Sequence, residues 1–173
     1  MVGSKVAVMT LVLLLFLTAI ALGQSIPAVN AESLNGKPIS FPKDFAGKTA
    51  ILVIGFSRGG GAQCGPFARK LAKEPNIRDG SVAIYQIAML ASAPRVIRPM
   101  ILHGMRGGIP KEEQDRFLPL FHDEAQWKQV SGFSKSGEND AYLILVSSDG
   151  TVRWTTHGQY SDSLYLEFKL HLP

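Results

Sequence analysis

A single cysteine carries most of the chemistry that this sequence could perform. Cys64 follows a glycine-rich stretch, residues 57–61, and lies near the start of a helix predicted over residues 62–74. Unpaired N–H groups and the dipole of a helix N-terminus favour an anion, so a thiol there has a lowered pKa. Arg58 or Arg69 would lower that pKa further and orient a peroxide. These residues fit a one-cysteine thiol peroxidase or reductase, with Cys64 as its catalytic nucleophile.

The count of one cysteine also excludes other chemistry. The chain forms no internal disulfide, and no second thiol is present to release a mixed disulfide, so a dithiol oxidoreductase is excluded. In a second interpretation, Cys64 has no catalytic role and is a small apolar residue of the helix, because free cysteines are commonly buried. The four histidines show no metal-ligand spacing, so we expect no metal site and no other cofactor. A net charge of +4 without a basic block argues against nucleic acid as a partner.

The N-terminus indicates where the protein works. Residues 6–23 are an unbroken run of apolar and small residues, and Ala21-Leu22-Gly23 resembles a signal-peptidase site. Residues 1–23 are therefore either a cleaved signal peptide or an uncleaved membrane anchor, since the run is just long enough to cross a bilayer. We expect export, to the periplasm or to the outer face of the inner membrane. Residues 24–173 then form one domain.

The remaining pattern predicts strands and helices around this cysteine. The expected strands cover residues 37–41, 49–56, 81–90, 141–146 and 151–155, the last two joined as a hairpin by Ser148-Asp149-Gly150. The expected helices cover residues 62–74, 95–105 with an interruption at Pro99, and a segment from Pro110 through Phe121. A turn over residues 123–130 carries Trp127, residues 104–108 form a mobile loop or lid, and a last helix starts near Ser161 or Asp162.

This order predicts an α/β fold with a mixed sheet and helices on both faces. The fragment Cys64-Gly65-Pro66-Phe67 resembles the Cys-Gly-Pro-Cys motif of thioredoxins, with Phe67 in place of the second cysteine. Asn35-Gly36-Lys37-Pro38 is also similar to the first part of thioredoxin-like oxidoreductases and peroxiredoxins. The resemblance implies a thioredoxin-like fold. Residues 137–141, which match the stretch where thioredoxins carry a cis-proline, contain no proline.

Three further segments resemble a second thioredoxin-like group. Residues 53–58, residues 109–112, and residues 142–158 with Trp154 and His157 are similar to the assembly-factor family of mitochondrial ATP synthase (ATPase complex subunit ten) and its bacterial relatives. This resemblance implies a non-redox chaperone or assembly factor whose partner is a protein or peptide client, in particular a membrane protein.

The same residues suggest a binding surface. Its candidate members are Phe56, Ser57, Arg58, Arg153, Trp154 and His157. If Trp154 faces the glycine stretch, then Phe56, Trp154 and His157 line a groove for a peptide or a hydrophobic helix. In the opposite interpretation Trp154 is a core residue and Arg153 a solvated edge residue, or the domain docks through the hairpin edge alone. We therefore expect an exported, non-redox binding module, with the one-cysteine peroxidase as the alternative.

Overall fold

The computed structural model describes residues 23–173. The predicted signal peptide or anchor falls, apart from Gly23, outside these residues. Across residues 23–173, none of the helices combines the length and the hydropathy needed to cross a bilayer.

This part of the chain contains seven strands and six α-helices. The strands are β1 (Val29–Glu32), β2 (Pro38–Phe41), β3 (Thr49–Gly55), β4 (Val82–Met89), β5 (Phe117–Leu120), β6 (Ala141–Val146) and β7 (Val152–Gly158). The helices are α1 (Arg58–Leu71), α2 (Pro75–Arg78), α3 (Arg98–Gly108), α4 (Lys111–Gln114), α5 (Glu124–Ser131) and α6 (Asp162–Lys169). Short 3-10 turns cover Lys43–Phe45, Arg95–Ile97 and Lys135–Gly137.

Five of the strands form the central sheet in the order β5-β4-β3-β6-β7. Strand β3 pairs in parallel with β4 and antiparallel with β6, and β6 continues into the antiparallel β7. Strands β1 and β2 form a separate antiparallel pair. The predicted mixed sheet with a C-terminal hairpin is confirmed.

Strand β3 separates two apolar layers because its side chains alternate between the faces of the sheet. Leu52 and Ile54 belong to the layer that also contains Trp127 of α5. Ile51 and Val53 belong to the layer that contains Phe67 and Leu71 of α1, with Tyr165 and Phe168 of α6. All of β3 after Thr49 is buried, which explains its uninterrupted apolar sequence.

The prediction of a glycine loop before the first helix is wrong. Helix α1 begins at Arg58 and contains the three glycines 59–61, because the Ser57 side chain caps it by accepting a hydrogen bond from the Gly60 N–H (3.0 Å). Pro66 consequently lies in the helix interior rather than in the first turn. Its missing N–H leaves free the carbonyl of Ala62, an exposed residue, where water can bond it.

Two predictions in the middle of the chain are also wrong. Residues 104–108 are helical and form the end of α3. The buried amide of Gln114 holds this end by donating to the carbonyls of Arg106 (3.0 Å) and Ile109 (2.8 Å).

The helix expected to run to Phe121 ends at Gln114, and Phe117–Leu120 is a buried strand paired in parallel with β4. A proline at position 119 is tolerated because β5 is the edge strand of the sheet.

Strand β1 was not expected from the sequence.

Candidate functional site

The start of α1 is packed closely against its surroundings. A Cβ on Gly55 would lie 2.7 Å from the N atom of Gly61, and one on Gly60 would lie 2.6 Å from the carbonyl oxygen of Asp140. Ser57 Oγ also donates to Asn139 Oδ1 (2.8 Å). Gly55 therefore allows the end of β3 to lie close to the backbone of α1, and Gly60 allows α1 to lie close to the loop before β6.

Cys64 lies inside the domain, away from this helix start. With Arg58 as the first residue of α1, Cys64 is the seventh, and its side chain is 1 % exposed in the layer with Ile51, Val53 and Phe67. Desolvation by this burial raises the pKa of the Cys64 thiol to about 12. The dipole acts mainly within the first turn, so burial dominates and the neutral thiol is the stable form. This geometry favours the interpretation of Cys64 as a small core residue.

Phe56 and His157 are brought together by a third aromatic ring. The ring centroid of Tyr142 lies 5.2 Å from that of Phe56 and 4.8 Å from that of His157, on which it stacks. His157 Nδ1 lies 2.8 Å from Asp140 Oδ2. Asp140 precedes β6, within the stretch matched to the thioredoxin cis-proline position. Tyr142 was not among the residues expected at the site, although its place in the hairpin was predicted.

Trp154 lies on the opposite face of the sheet from this aromatic group. Its ring contacts Phe168 (5.6 Å between centroids) and stacks on His171 (4.0 Å). Trp154 and His157 are three residues apart in one strand, and an odd spacing turns two side chains to opposite faces. The expected groove of Phe56, Trp154 and His157 is therefore not formed, and the neighbouring Arg153 is exposed at the edge.

A different groove opens beside Phe56. A cleft of about 810 Å³ lies between α1 and α3, with Phe56, Ser57 and Arg58 on one side. Ile101 and Met105 of α3 form the opposite wall. These two residues were not expected at a site, although both lie in the helix predicted over residues 95–105. Their spacing of four residues, continued at Ile109, was the signal that α3 presents one face to the domain.

The cleft continues along α1 into a second depression of about 920 Å³. The two share Pro66, Arg69, Gln86 and Glu113, and β4 supplies the floor through Ile84, Gln86 and Ala88. We call this continuous depression the α1–α3 groove. Six basic side chains line it against two acidic ones: Arg58, Arg69, Lys70, Lys73, Arg78 and Arg116 against Glu112 and Glu113. Among residues 23–173, only Lys70 of these six forms an ion pair, with Asp162.

Solved structures with the same architecture identify the fold. The exposed lipoprotein thioredoxin Etrx1 of Streptococcus pneumoniae is 14 % identical, with a TM-score of 0.59 over 84 % of this chain and 100 % of that chain. The fold is thioredoxin-like.

Two further neighbours share this fold. A putative thiol:disulfide interchange protein DsbE from Chlorobium tepidum is 13 % identical (TM-score 0.55, 86 % of this chain and 92 % of that one). BsSco, of the Sco family of cytochrome c oxidase assembly proteins, is 14 % identical (TM-score 0.54, 86 % and 94 %). No protein-family model and no curated protein matches the sequence. The resemblance to the ATP synthase assembly factors thus stays a prediction.

Proposed function

We propose that this thioredoxin-like protein is an exported, non-redox binding module that holds an extended segment of a protein client in the α1–α3 groove, in a chaperone or assembly role. The observation that carries the proposal is the contrast between Cys64 and the groove. The only thiol is buried and neutral, whereas the surface beside the start of α1 is open, apolar and basic.

The groove has the features that an extended peptide needs. Its two connected parts form one elongated depression, and the walls provide Phe56, Ile101 and Met105 for apolar side chains. Arg58 and Arg69 are exposed and form no ion pair within residues 23–173, so they can bind a carboxylate of the client. We therefore expect clients with apolar residues next to acidic ones. Of the six residues proposed from the sequence, Phe56, Ser57 and Arg58 belong to this groove.

Export is supported by the apolar run at residues 6–23 and by the fold, which also occurs in a protein described as an exposed lipoprotein. We propose the periplasm or the outer face of the inner membrane as the location. An assembly role is compatible with the fold of BsSco, from a family described as assembly proteins. Membrane-protein segments exposed outside the cytoplasm are then the clients to test first.

Peptide binding can be measured on arrays of such segments with the purified full chain. We expect binding to peptides that combine apolar and acidic residues, at least tenfold weaker in Met105→Glu and in Arg69→Glu. Met100→Glu is the matched control, because Met100 is on the same helix but 69 % exposed and outside the groove. Absence of binding, or an equal loss in Met105→Glu and Met100→Glu, would contradict the proposal.

The peroxidase alternative needs a reactive thiolate at Cys64. Peroxide consumption with a thiol reductant should stay at background in the wild type and be unchanged in Cys64→Ser. Turnover that disappears in Cys64→Ser would establish the enzyme and refute the non-redox proposal.

A further inference from the structure

Residues 91–111 form one of the stretches of this chain that carry basic residues and no acidic one. It contains four basic residues, Arg95, Arg98, Arg106 and Lys111, together with His103, and no aspartate or glutamate. The full chain has 14 acidic residues, and all of them lie outside this segment. The segment covers the 3-10 turn Arg95–Ile97 and helix α3.

The same segment exposes large apolar side chains. Val96 is 90 % exposed, Met100 69 % and Ile97 38 %, and α3 buries no residue fully. The other large apolar residues that are exposed among residues 23–173 are Leu166 of α6 and Leu170, which follows the end of α6. A cluster of exposed apolar side chains marks an interaction surface.

This apolar patch is separate from the α1–α3 groove. Ile101 and Met105 face the groove, whereas Val96, Ile97 and Met100 do not line it. Met100 and His103 are exposed at a spacing of three residues, on the outward side of α3. The helix therefore has one side for the groove and another for a different contact.

Two arginines hold the segment on the domain and leave the others free. Arg98 Nε donates to the Ala93 carbonyl (3.0 Å), and its guanidinium lies over the ring of Phe121 (4.4 Å). Arg106 Nε donates to the Leu34 carbonyl (2.9 Å). Arg95 and Lys111 are exposed and form no ion pair within residues 23–173.

We propose that residues 91–111 bind the surface of an anionic phospholipid membrane. Val96, Ile97 and Met100 enter the headgroup region, where their apolar area leaves water, and the free cations Arg95 and Lys111 face lipid phosphates. An anionic bilayer repels carboxylates wherever the segment touches it, and this segment has none. Exposed apolar side chains together with the free cations Arg95 and Lys111 match the headgroup region of an anionic bilayer, which offers both apolar area and phosphates.

The proposal is tested with an environment-sensitive fluorophore on the full chain. The probe is attached at Val96→Cys or, as the matched control, at Leu166→Cys, both in a Cys64→Ala background. Vesicles contain phosphatidylcholine alone or phosphatidylcholine with phosphatidylglycerol. We expect a blue shift at position 96 with anionic vesicles only, weakened by salt, and none at position 166. No shift at position 96, or the same shift at both positions, would overturn the proposal.

Charge reversal provides a second measurement, which tests the contribution of the free cations with the probe kept at position 96. In the Val96→Cys protein, Arg95→Glu with Lys111→Glu should raise the anionic lipid concentration needed for half the shift at least tenfold. Lys37→Glu with Lys43→Glu changes the net charge equally at exposed positions elsewhere and should leave it unchanged. An equal effect of both pairs would show that only the net charge of the protein matters, and it would overturn the proposal of a specific membrane-binding surface. A shift seen only after adding a protein extract would assign the patch to a protein partner instead.

Discussion

At Cys64 two influences act on the thiol in opposite directions. The dipole of α1 favours the thiolate, but it weakens beyond the first turn and Cys64 is the seventh residue from Arg58. Burial in the layer with Phe67 favours the neutral form and raises the pKa of Cys64 to about 12. Burial and the raised pKa both predict low reactivity for this cysteine, although it lies in a sequence similar to a redox motif.

This burial predicts slow thiol chemistry in the folded protein. At pH 8 a disulfide reagent such as DTNB should react with Cys64 only after denaturation. The matched control is Met100→Cys in a Cys64→Ala background, whose exposed thiol should react at once. A Cys64 rate close to that of the control would show that the thiol is accessible and would reopen the enzymatic interpretation.

The raised pKa also predicts how stability depends on pH. Above the ordinary thiol pKa of 9.0 the unfolded chain loses the Cys64 proton while the folded chain keeps it up to about pH 12. The unfolded state then binds fewer protons, so the free energy of unfolding falls with rising pH by about 1.4 kcal/mol per pH unit from this group. Urea unfolding from pH 8 to pH 11 should show this loss, and Cys64→Ala should show a shallower one. Identical slopes would contradict the burial of the thiol.

At the scale of helices, α1 and α3 use glycine for different reasons. Gly60 starts α1 where the loop before β6 approaches closely, so a Cβ would meet the Asp140 carbonyl oxygen. Gly104 and Gly107 of α3 have nothing within 4 Å of a Cβ position. Packing therefore requires Gly60 but neither Gly104 nor Gly107, and these two residues lower the intrinsic stability of α3.

Alanine substitutions should separate these two roles. Gly104→Ala should stabilise the protein by about 0.5–1 kcal/mol through helix propensity. Gly60→Ala should destabilise it by about 1–3 kcal/mol, because the new methyl group forces the backbone apart. Urea unfolding measures both, and amide hydrogen exchange should show slower opening of α3 in Gly104→Ala. Stabilisation by Gly60→Ala would argue against the close packing at the start of α1.

At the scale of the whole molecule, the sheet links two apolar layers into one unit. Trp127 is buried in the layer covered by α5, and Trp154 packs against the layer covered by α1 and α6. These are the two tryptophans of the chain, so each reports on one layer. Both layers share β3, whose residues from Ala50 onward are fully buried.

The shared strand predicts cooperative unfolding. The variants Trp127→Phe and Trp154→Phe leave one tryptophan each, and in each variant its fluorescence and far-ultraviolet circular dichroism should give the same urea midpoint. Reductant should not change the midpoint, since one cysteine forms no internal disulfide. Tryptophan fluorescence that changes well before the circular dichroism in either variant would show that its layer unfolds independently.

The sequence by itself determined the central strands, the C-terminal hairpin and the absence of dithiol chemistry. A long apolar run such as residues 49–56 predicts a buried strand, because a strand buried on both faces needs an apolar residue at every position. The count of one cysteine is enough to exclude a dithiol cycle, since that cycle needs two thiols in one chain. The spacing of three residues between Trp154 and His157 also argued against a shared groove, because side chains at an odd spacing in one strand lie on opposite faces of the sheet.

Only the tertiary structure decided what surrounds these elements. Propensity alone treats residues 57–61 and 104–108 as loops, but the Ser57 cap and the Gln114 amide make them helical. Phe117–Leu120 becomes a strand because β4 offers it an unpaired edge. The burial of Cys64 and the groove beside Phe56 arise from contacts between segments distant in sequence, which no local pattern encodes. Packing thus places Cys64, the residue whose type suggested catalysis, in the core.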